Sequence, residues 1–224
     1  MAGFSADENP LLSASSRAWD ELIEAVGPAS LLVVIESRLS AALRRHTTAE
    51  DVFQEALMHA WRDRADCEWR GLKSFRSWLL TIIDHRIGHL AAASATQKRG
   101  AGLRITPFSG LDGRPGLGSI SGDSYFAGPI GSTTPSRVAI FREQAAAMQA
   151  ALAALPEELS EVVRLRLFEQ ITLQEIAERL GAGMSVVRRR FGSGLEIYEK
   201  ALRQALVSRS PSHSARPSES TRGR

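Results

Sequence analysis

Apolar residues recur along most of the chain at spacings of three and four, which is the period of an amphipathic α-helix. The first such stripe consists of Trp19, Leu22, Ile23 and Val26. Gly27 and Pro28 close this helix, and an apolar run then opens a second helix expected at 29–45. No segment alternates apolar and polar residues as a half-buried strand does, so the sequence predicts an all-α protein.

A third amphipathic helix is predicted at 47–63. Thr47 and Glu50 have the spacing of a capping box, in which two side chains satisfy free backbone N–H groups at a helix start. The predicted buried side comprises Val52, Phe53, Ala56, Leu57, Ala60 and Trp61. The other side carries Asp51, Gln54 and Glu55. Taken alone, this acidic face is explained more simply by solubility than by docking.

A loop at 67–73 and a fourth helix at 74–93 combine aromatic and basic side chains. They include Trp69, Arg70, Lys73, Phe75, Arg76 and Trp78. Such residues stack on bases and follow the backbone of a single nucleic-acid strand. His85 and His89, one helical turn apart, could share a metal ion, although the helix offers neither a third ligand nor a general base.

Composition changes between residues 100 and 135, which hold nine of the chain's 18 glycines and four prolines. A segment of this kind cannot bury enough apolar surface to offset the entropy of ordering it, so we expect a flexible linker. The predicted organisation is a disordered lead at 1–13, a helical domain at 14–97, a flexible Gly-rich linker at 98–135, a second helical domain at 136–207 and a disordered basic tail at 208–224.

The second domain is predicted to end in a helix-turn-helix. Two helices, at about 136–152 and 156–168, precede it. Thr172 and Glu175 again have capping-box spacing. A turn at 181–183 then supplies the glycine that a helix-turn-helix usually contains, and the second helix of the motif begins near Ser185.

The first turns of that second helix carry Ser185, Arg188 and Arg189 on the side opposite its apolar stripe. Small polar and arginine side chains at this position are what reading a DNA major groove requires. The alternative is an ordinary helical hairpin whose basic face is only solvated. The cap at Thr172, the turn at 181–183 and the basic face of the second helix together favour DNA binding. Gly192 and Gly194 each weaken a helix interior by about 1 kcal/mol relative to alanine, so we expect fraying or a bend there.

Composition also excludes several classes of protein. The longest apolar run, 31–35, is far too short for a membrane span, and the N-terminus lacks the features of a signal peptide. Cys67, the single cysteine, cannot form an internal disulfide, which fits a reducing cytoplasm. Four arginines and one glutamate at 207–224 account for the whole net charge of +3, so total charge says little about nucleic-acid binding by the folded part.

Three motifs in order, AEDVFQEALMHAW, FRSWLLTII and LPEELSEVVRLRLFEQITLQEIAERLG, resemble bacterial RNA polymerase sigma factors of the compact extracytoplasmic-function (ECF) type. The resemblance covers about 15–96 and 136–206. It implies a region 2 helical bundle and a region 4 helix-turn-helix. The implied function is to bind core RNA polymerase, direct it to promoters and assist promoter opening, without metal, cofactor or covalent chemistry.

The resemblance also implies roles for individual residues. Asp51, Gln54 and Glu55 would dock on the coiled coil of the polymerase's largest subunit, and the polymerase flap would be a second contact. The residues implied for the −10 element are Lys73, Arg76, Trp78, His85 and His89. Those implied for the −35 element are Ser185, Arg188 and Arg189 in the major groove, with Thr172 and Gln174 on phosphates. An anti-sigma factor is a further partner found in the family.

Three other functions remain open at this point. A helix-turn-helix regulator that never touches polymerase would bind an isolated promoter duplex. A metal-dependent enzyme built on His85 and His89 would contain zinc that is lost on His85→Ala. An interaction adaptor would bind neither DNA nor polymerase.

Overall fold

The computed structural model describes residues 9–13, 15–98 and 135–209, and these contain helices but no strand. The α-helices are α1 Ser16–Val26, α2 Pro28–Arg38, α3 Ala49–Arg62, α4 Leu72–Lys98, α5 Pro135–Ala153, α6 Glu157–Leu167, α7 Leu173–Leu180 and α8 Met184–Arg209. The all-α prediction is therefore confirmed. The predicted linker lies almost entirely outside the described residues, as do most of the predicted lead and tail.

Contacts between residues divide the chain into two compact units, Met1–Ala146 and Ala147–Arg224, with the boundary inside α5. In the first unit, the predicted stripe of α1 is buried throughout. Helix α2 is buried on all sides from Leu31 to Ile35, and this part lies within the core. Helix α4 packs against α3 and contributes the fully buried side chains of Phe75, Leu79 and Ile83.

Three predictions of helix ends in the first unit were wrong: the end of α2, the cap of α3 and the limits of α4, which spans Leu72–Lys98 rather than 74–93. Helix α2 ends at Arg38 rather than at residue 45, because Leu39 turns to an extended backbone (φ −72°, ψ 121°). The Ser40 hydroxyl then accepts a hydrogen bond from the Leu43 N–H (3.3 Å), which starts a separate 3-10 turn at Leu43–Arg45.

The capping box of α3 consists of Thr48 and Asp51 rather than Thr47 and Glu50. The Asp51 carboxylate accepts from the Thr48 N–H (2.9 Å), and the Thr48 hydroxyl accepts from the Asp51 N–H (3.1 Å). Thr47 is unsuitable because its own N–H bonds to the Leu43 carbonyl (3.0 Å) and so belongs to the preceding turn.

The core of the second unit is formed where α6, α7 and α8 meet. The buried residues of this cluster include Val162, Leu165, Ile176, Ala177 and Val187. Helix α8 runs unbroken through both of its glycines, so the fraying expected there is not seen. Gly194 faces α6 so closely that a Cβ there would lie 2.7 Å from Val163 Cγ2, and the glycine thus permits the packing of the two helices.

No helix in the described ranges combines the length and apolarity needed to cross a membrane.

Candidate nucleic-acid interface

The entry to the helix-turn-helix has the predicted cap. The Thr172 hydroxyl accepts from the Glu175 N–H (3.2 Å), and the Glu175 carboxylate accepts from the Thr172 N–H (2.8 Å). At the other end of α7, Gly181 adopts a left-handed backbone (φ 59°), and its N–H bonds to carbonyls of the last turn. Because side chains other than glycine are strained at such a φ, this residue fixes the turn between α7 and α8.

The first turns of α8 present Ser185, Arg188 and Arg189 to solvent, while Val187 is buried on the opposite side. Neither Arg188 nor Arg189 forms an ion pair with any described residue. Arg190 differs, since it is half-buried and pairs with Glu158 of α6 (2.5 Å). Of the three consecutive arginines, two are therefore available to an external anion and one is engaged within the unit.

Both residues predicted to contact phosphates are exposed at the start of α7. The hydroxyl and the backbone N–H of Thr172 are both engaged with Glu175 in the capping box. The side-chain amide of Gln174 lies 3.4 Å from Glu178 Oε1, at the limit of a hydrogen bond, and it can turn toward another acceptor.

On the first unit, the acidic face of α3 comprises exposed Asp51 and half-buried Gln54 and Glu55. Asp51 also closes the capping box, and Glu55 accepts a hydrogen bond from Arg86 of α4. These side chains are consequently held by the fold before any partner arrives.

An aromatic cluster lies at the start of α4. The Phe75 ring is fully buried, with centroids 5.9 Å from Trp19, 6.3 Å from Trp69 and 5.8 Å from Trp78. Trp69 and Trp78 are half-buried at its edge, and Lys73, in the first turn of α4, is exposed. The cluster thus offers partly exposed indole rings anchored on a buried ring, as a base-stacking platform requires.

The assignment of Arg76 to a DNA-binding surface is wrong. Its side chain is only 2% exposed, and it donates a hydrogen bond to the carbonyl of Val26 at the end of α1. Burial lowers the pKa of the guanidinium to about 10, which still leaves it charged at neutral pH. Arg76 joins two helices of the core and is not accessible to a nucleic acid.

The other candidate chemistry receives little support from the geometry. His85 and His89 are both exposed on α4. Among the described residues, no group of three or more His, Cys, Asp or Glu side chains is placed to hold a metal ion. Burial raises the pKa of the Cys67 thiol to about 11, so it is protonated at neutral pH and is a poor nucleophile.

Comparison with known proteins identifies the family. Residues 31–94 match the family model for Sigma-70 region 2, and residues 151–196 match the model for Sigma-70, region 4. The chain is a sigma factor. It belongs to the small, two-domain ECF type, and it directs RNA polymerase to promoters. It is 25% identical over 158 residues to the RNA polymerase sigma-H factor of Pseudomonas aeruginosa, an alignment that covers 70% of this chain and 75% of that protein.

In this sigma factor, the two matched regions contain all the candidate interface residues. The region 2 match runs from α2 into α4 and includes the acidic face of α3 and the aromatic cluster at the start of α4. The region 4 match ends at residue 196, inside α8, and includes the helix-turn-helix with both available arginines.

Sequence reasoning missed three features near these surfaces. Met58 is 49% exposed on α3, seven residues after Asp51 and so on the same helical face. Glu158 engages Arg190, as described above. The side chain of Glu169 is only 6% exposed and accepts from Arg164 just before α7. Spacing indicates that Met58 shares the acidic face, but nothing in the sequence pattern predicts the contact of Glu158 with Arg190 or that of Glu169 with Arg164.

Proposed function

We propose that this sigma factor reads the −35 promoter element with α8, through Ser185, Arg188 and Arg189 in the major groove. The observation that carries the proposal is that these three side chains are exposed on one face of a helix fixed by its turn and its buried stripe. Arginine forms paired hydrogen bonds to guanine in the major groove, and serine can bond to several bases. Thr172 and Gln174 would contact phosphates from the start of α7 and set the register of α8.

Core polymerase would dock on the acidic face of α3, through Asp51, Gln54 and Glu55. The resemblance to the family indicates the coiled coil of the largest subunit as the partner. The anchoring of Asp51 and Glu55 within the fold supports this role, because side chains that are already ordered lose less entropy on binding.

The flap of the polymerase would be the second contact, on the second unit. An open groove of about 370 Å³ supports this proposal, since it is lined by three apolar side chains and four polar or charged ones. Its lining comprises Leu152, Ala153, Leu155, Glu157, Ser160, Glu161 and Arg164. Such a mixed lining could contact both an apolar and a polar group of the partner.

The −10 element would be bound by Lys73 and Trp78, with His85 and His89 further along α4. Trp78 would stack on an unpaired base, because its ring is half-buried against Phe75 and thus held in one orientation. Relatives usually carry Asn, Asp and Arg where this chain has the two histidines and an alanine run, so recognition of the −10 element would differ from theirs.

The proposed domain limits are 14–97 and 136–207, joined by the Gly-rich linker. We also propose that the protein acts in the cytoplasm, performs no covalent chemistry and can be held by an anti-sigma factor.

The docking proposal is tested by capture of core RNA polymerase with an Asp51→Asn/Gln54→Ala variant. Asparagine retains an oxygen for the capping box of α3 but removes the charge, so the helix should survive. Glu21→Gln, which removes one exposed charge from α1, is the matched control. We expect capture by wild type and control but not by the variant. Equal capture by all three would contradict the docking face, and failure of all three with tight binding to bare promoter DNA would favour the rival regulator.

A further inference from the structure

Gly192 lies in the interior of α8 without a structural reason within the fold. A glycine weakens a helix relative to alanine, because it has more conformational freedom to lose. Its backbone is helical, and it is absent from the positions with positive φ, so no unusual conformation requires it. A Cβ built at Gly192 would meet no heavy atom within 4 Å, so no neighbouring helix requires it either.

Gly194, two residues further, shows the contrast. A Cβ there would approach Val163 and Leu159 of α6 closely, so packing explains its glycine. The same explanation fails at Gly192, which is exposed to solvent. A glycine without a conformational or packing reason indicates close approach by something outside the chain.

Gly192 also lies on the face that we propose to contact DNA. It follows Arg188 by four residues and Arg189 by three, which places all three on one side of the helix. At 1.5 Å per residue, it lies roughly 12 Å along α8 from Met184, whereas the major groove is about 8.5 Å deep, so a helix that enters by its N-terminus would have Gly192 near the rim. Glu196, one turn further and exposed, ends the basic face because its carboxylate would repel phosphates.

We propose that the phosphate backbone of promoter DNA, at the rim of the −35 major groove, passes directly against α8 at Gly192. The missing side chain lets the helix sit deep enough for Arg188 and Arg189 to reach base edges. A methyl group or larger side chain at this position would hold the backbone away. This inference rests on the proposed reading of the −35 element by α8.

The test is a size series at this position, Gly192→Ala and Gly192→Leu, each assembled with core polymerase. Binding is measured to a promoter duplex selected from a randomised library by the wild-type holoenzyme. Both changes favour the helix, so thermal unfolding should occur at an equal or higher temperature than in wild type. We nevertheless expect weaker promoter binding, modest with alanine and roughly tenfold with leucine. Glu199→Leu, at an exposed position two turns beyond Gly192 and past the end of the basic face at Glu196, is the matched control and should bind as wild type does.

Two results would overturn the inference: unchanged binding by the leucine variant, or equal losses with alanine and leucine, which would indicate flexibility rather than steric approach. Arg189→Ala, measured in parallel, separates this inference from the proposed function. A loss with Arg189→Ala but none with Gly192→Leu rejects the role of Gly192 alone. No loss with Arg189→Ala rejects the reading of DNA by this face of α8.

Discussion

Replacement of Gly194 by alanine should destabilise the second unit, although alanine is the better helix former. The added Cβ would lie 2.7 Å from Val163 Cγ2, 3.3 Å from Leu159 Cβ and 3.4 Å from the Leu159 carbonyl oxygen. Val163 is fully buried and its branched side chain has restricted rotamers, so it cannot simply turn away. Either α8 must move away from α6, or Val163 must leave its rotamer.

The magnitude follows from two opposing terms. Overpacking of a filled core costs typically 1–3 kcal/mol. The higher helix propensity of alanine relative to glycine stabilises the helix by about 1 kcal/mol. We therefore expect a net loss of roughly 1 kcal/mol, which corresponds to a fall in melting temperature of about 4–8 °C for a domain of this size.

The chain offers an internal control for this measurement. All four tryptophans, at 19, 61, 69 and 78, belong to the first unit, so their fluorescence reports its unfolding alone. Far-ultraviolet circular dichroism reports the helices of both units. Gly194→Ala should lower the dichroism transition of the second unit and leave the fluorescence transition where it is in wild type.

A second substitution tests the cause. Val163→Ala removes the methyl groups that the new Cβ would meet, so the double variant should lose less stability than the two single losses added together. The reasoning is refuted if Gly194→Ala melts at or above the wild-type temperature. It is also refuted if the two changes are simply additive.

Three further predictions concern side chains outside the proposed DNA-reading face. Arg76→Met should lower the stability of the first unit by roughly 1–3 kcal/mol, because the Val26 carbonyl loses a charged hydrogen-bond donor. Unfolding followed by tryptophan fluorescence measures this loss, and unchanged stability would show that the contact is dispensable. Glu158→Ala should release Arg190 toward DNA and steepen the salt dependence of holoenzyme–DNA binding by about one charge; an unchanged slope would mean that Arg190 cannot reach DNA. Burial raises the pKa of the Cys67 thiol from 9.0 to about 11. The thiol should therefore resist alkylation by iodoacetamide at pH 8 until the protein unfolds, and rapid alkylation of native protein would contradict its burial.

The raised pKa of the Cys67 thiol also predicts how the free energy of unfolding changes with pH. A thiol that ionises more readily in the unfolded chain stabilises the fold fully below its unfolded pKa, and this contribution is lost as pH rises from about 9 to 11. Cys67→Ala lacks this titration, so the stability of wild type should fall more steeply than that of the variant over this window.

Local signals explain what could be predicted from the sequence. The stripe of α1, the cap at Thr172 and the glycine turn after α7 each depend on residues a few positions apart, and all three were confirmed. The cap of α3 was misplaced by one residue because Thr47 and Thr48 both suit it. The choice depends on whether the preceding turn already uses the residue's N–H.

Long-range contacts explain what could not be predicted. In the sequence, Arg76 is one of several basic residues in an aromatic-rich segment. Its hydrogen-bond partner is the carbonyl of Val26, 50 residues earlier in the chain, and no local pattern indicates this. For Gly194, the sequence shows a residue that weakens a helix. It does not show the close approach of α6 that makes a glycine necessary there. The two available arginines were correctly located on the exposed face, but the engagement of Arg190 by Glu158 required the packing of α6 on α8.

Run-off transcription tests the central claim most directly. Core polymerase would be supplied with wild type, with an Arg188→Ala/Arg189→Ala variant or with no added protein, on a promoter selected by the wild-type holoenzyme. We predict a discrete transcript with wild type, none with core polymerase alone, and at least about a tenfold loss with the variant, while the variant still captures core polymerase. A transcript that does not depend on this chain, or a variant as active as wild type, would contradict the account.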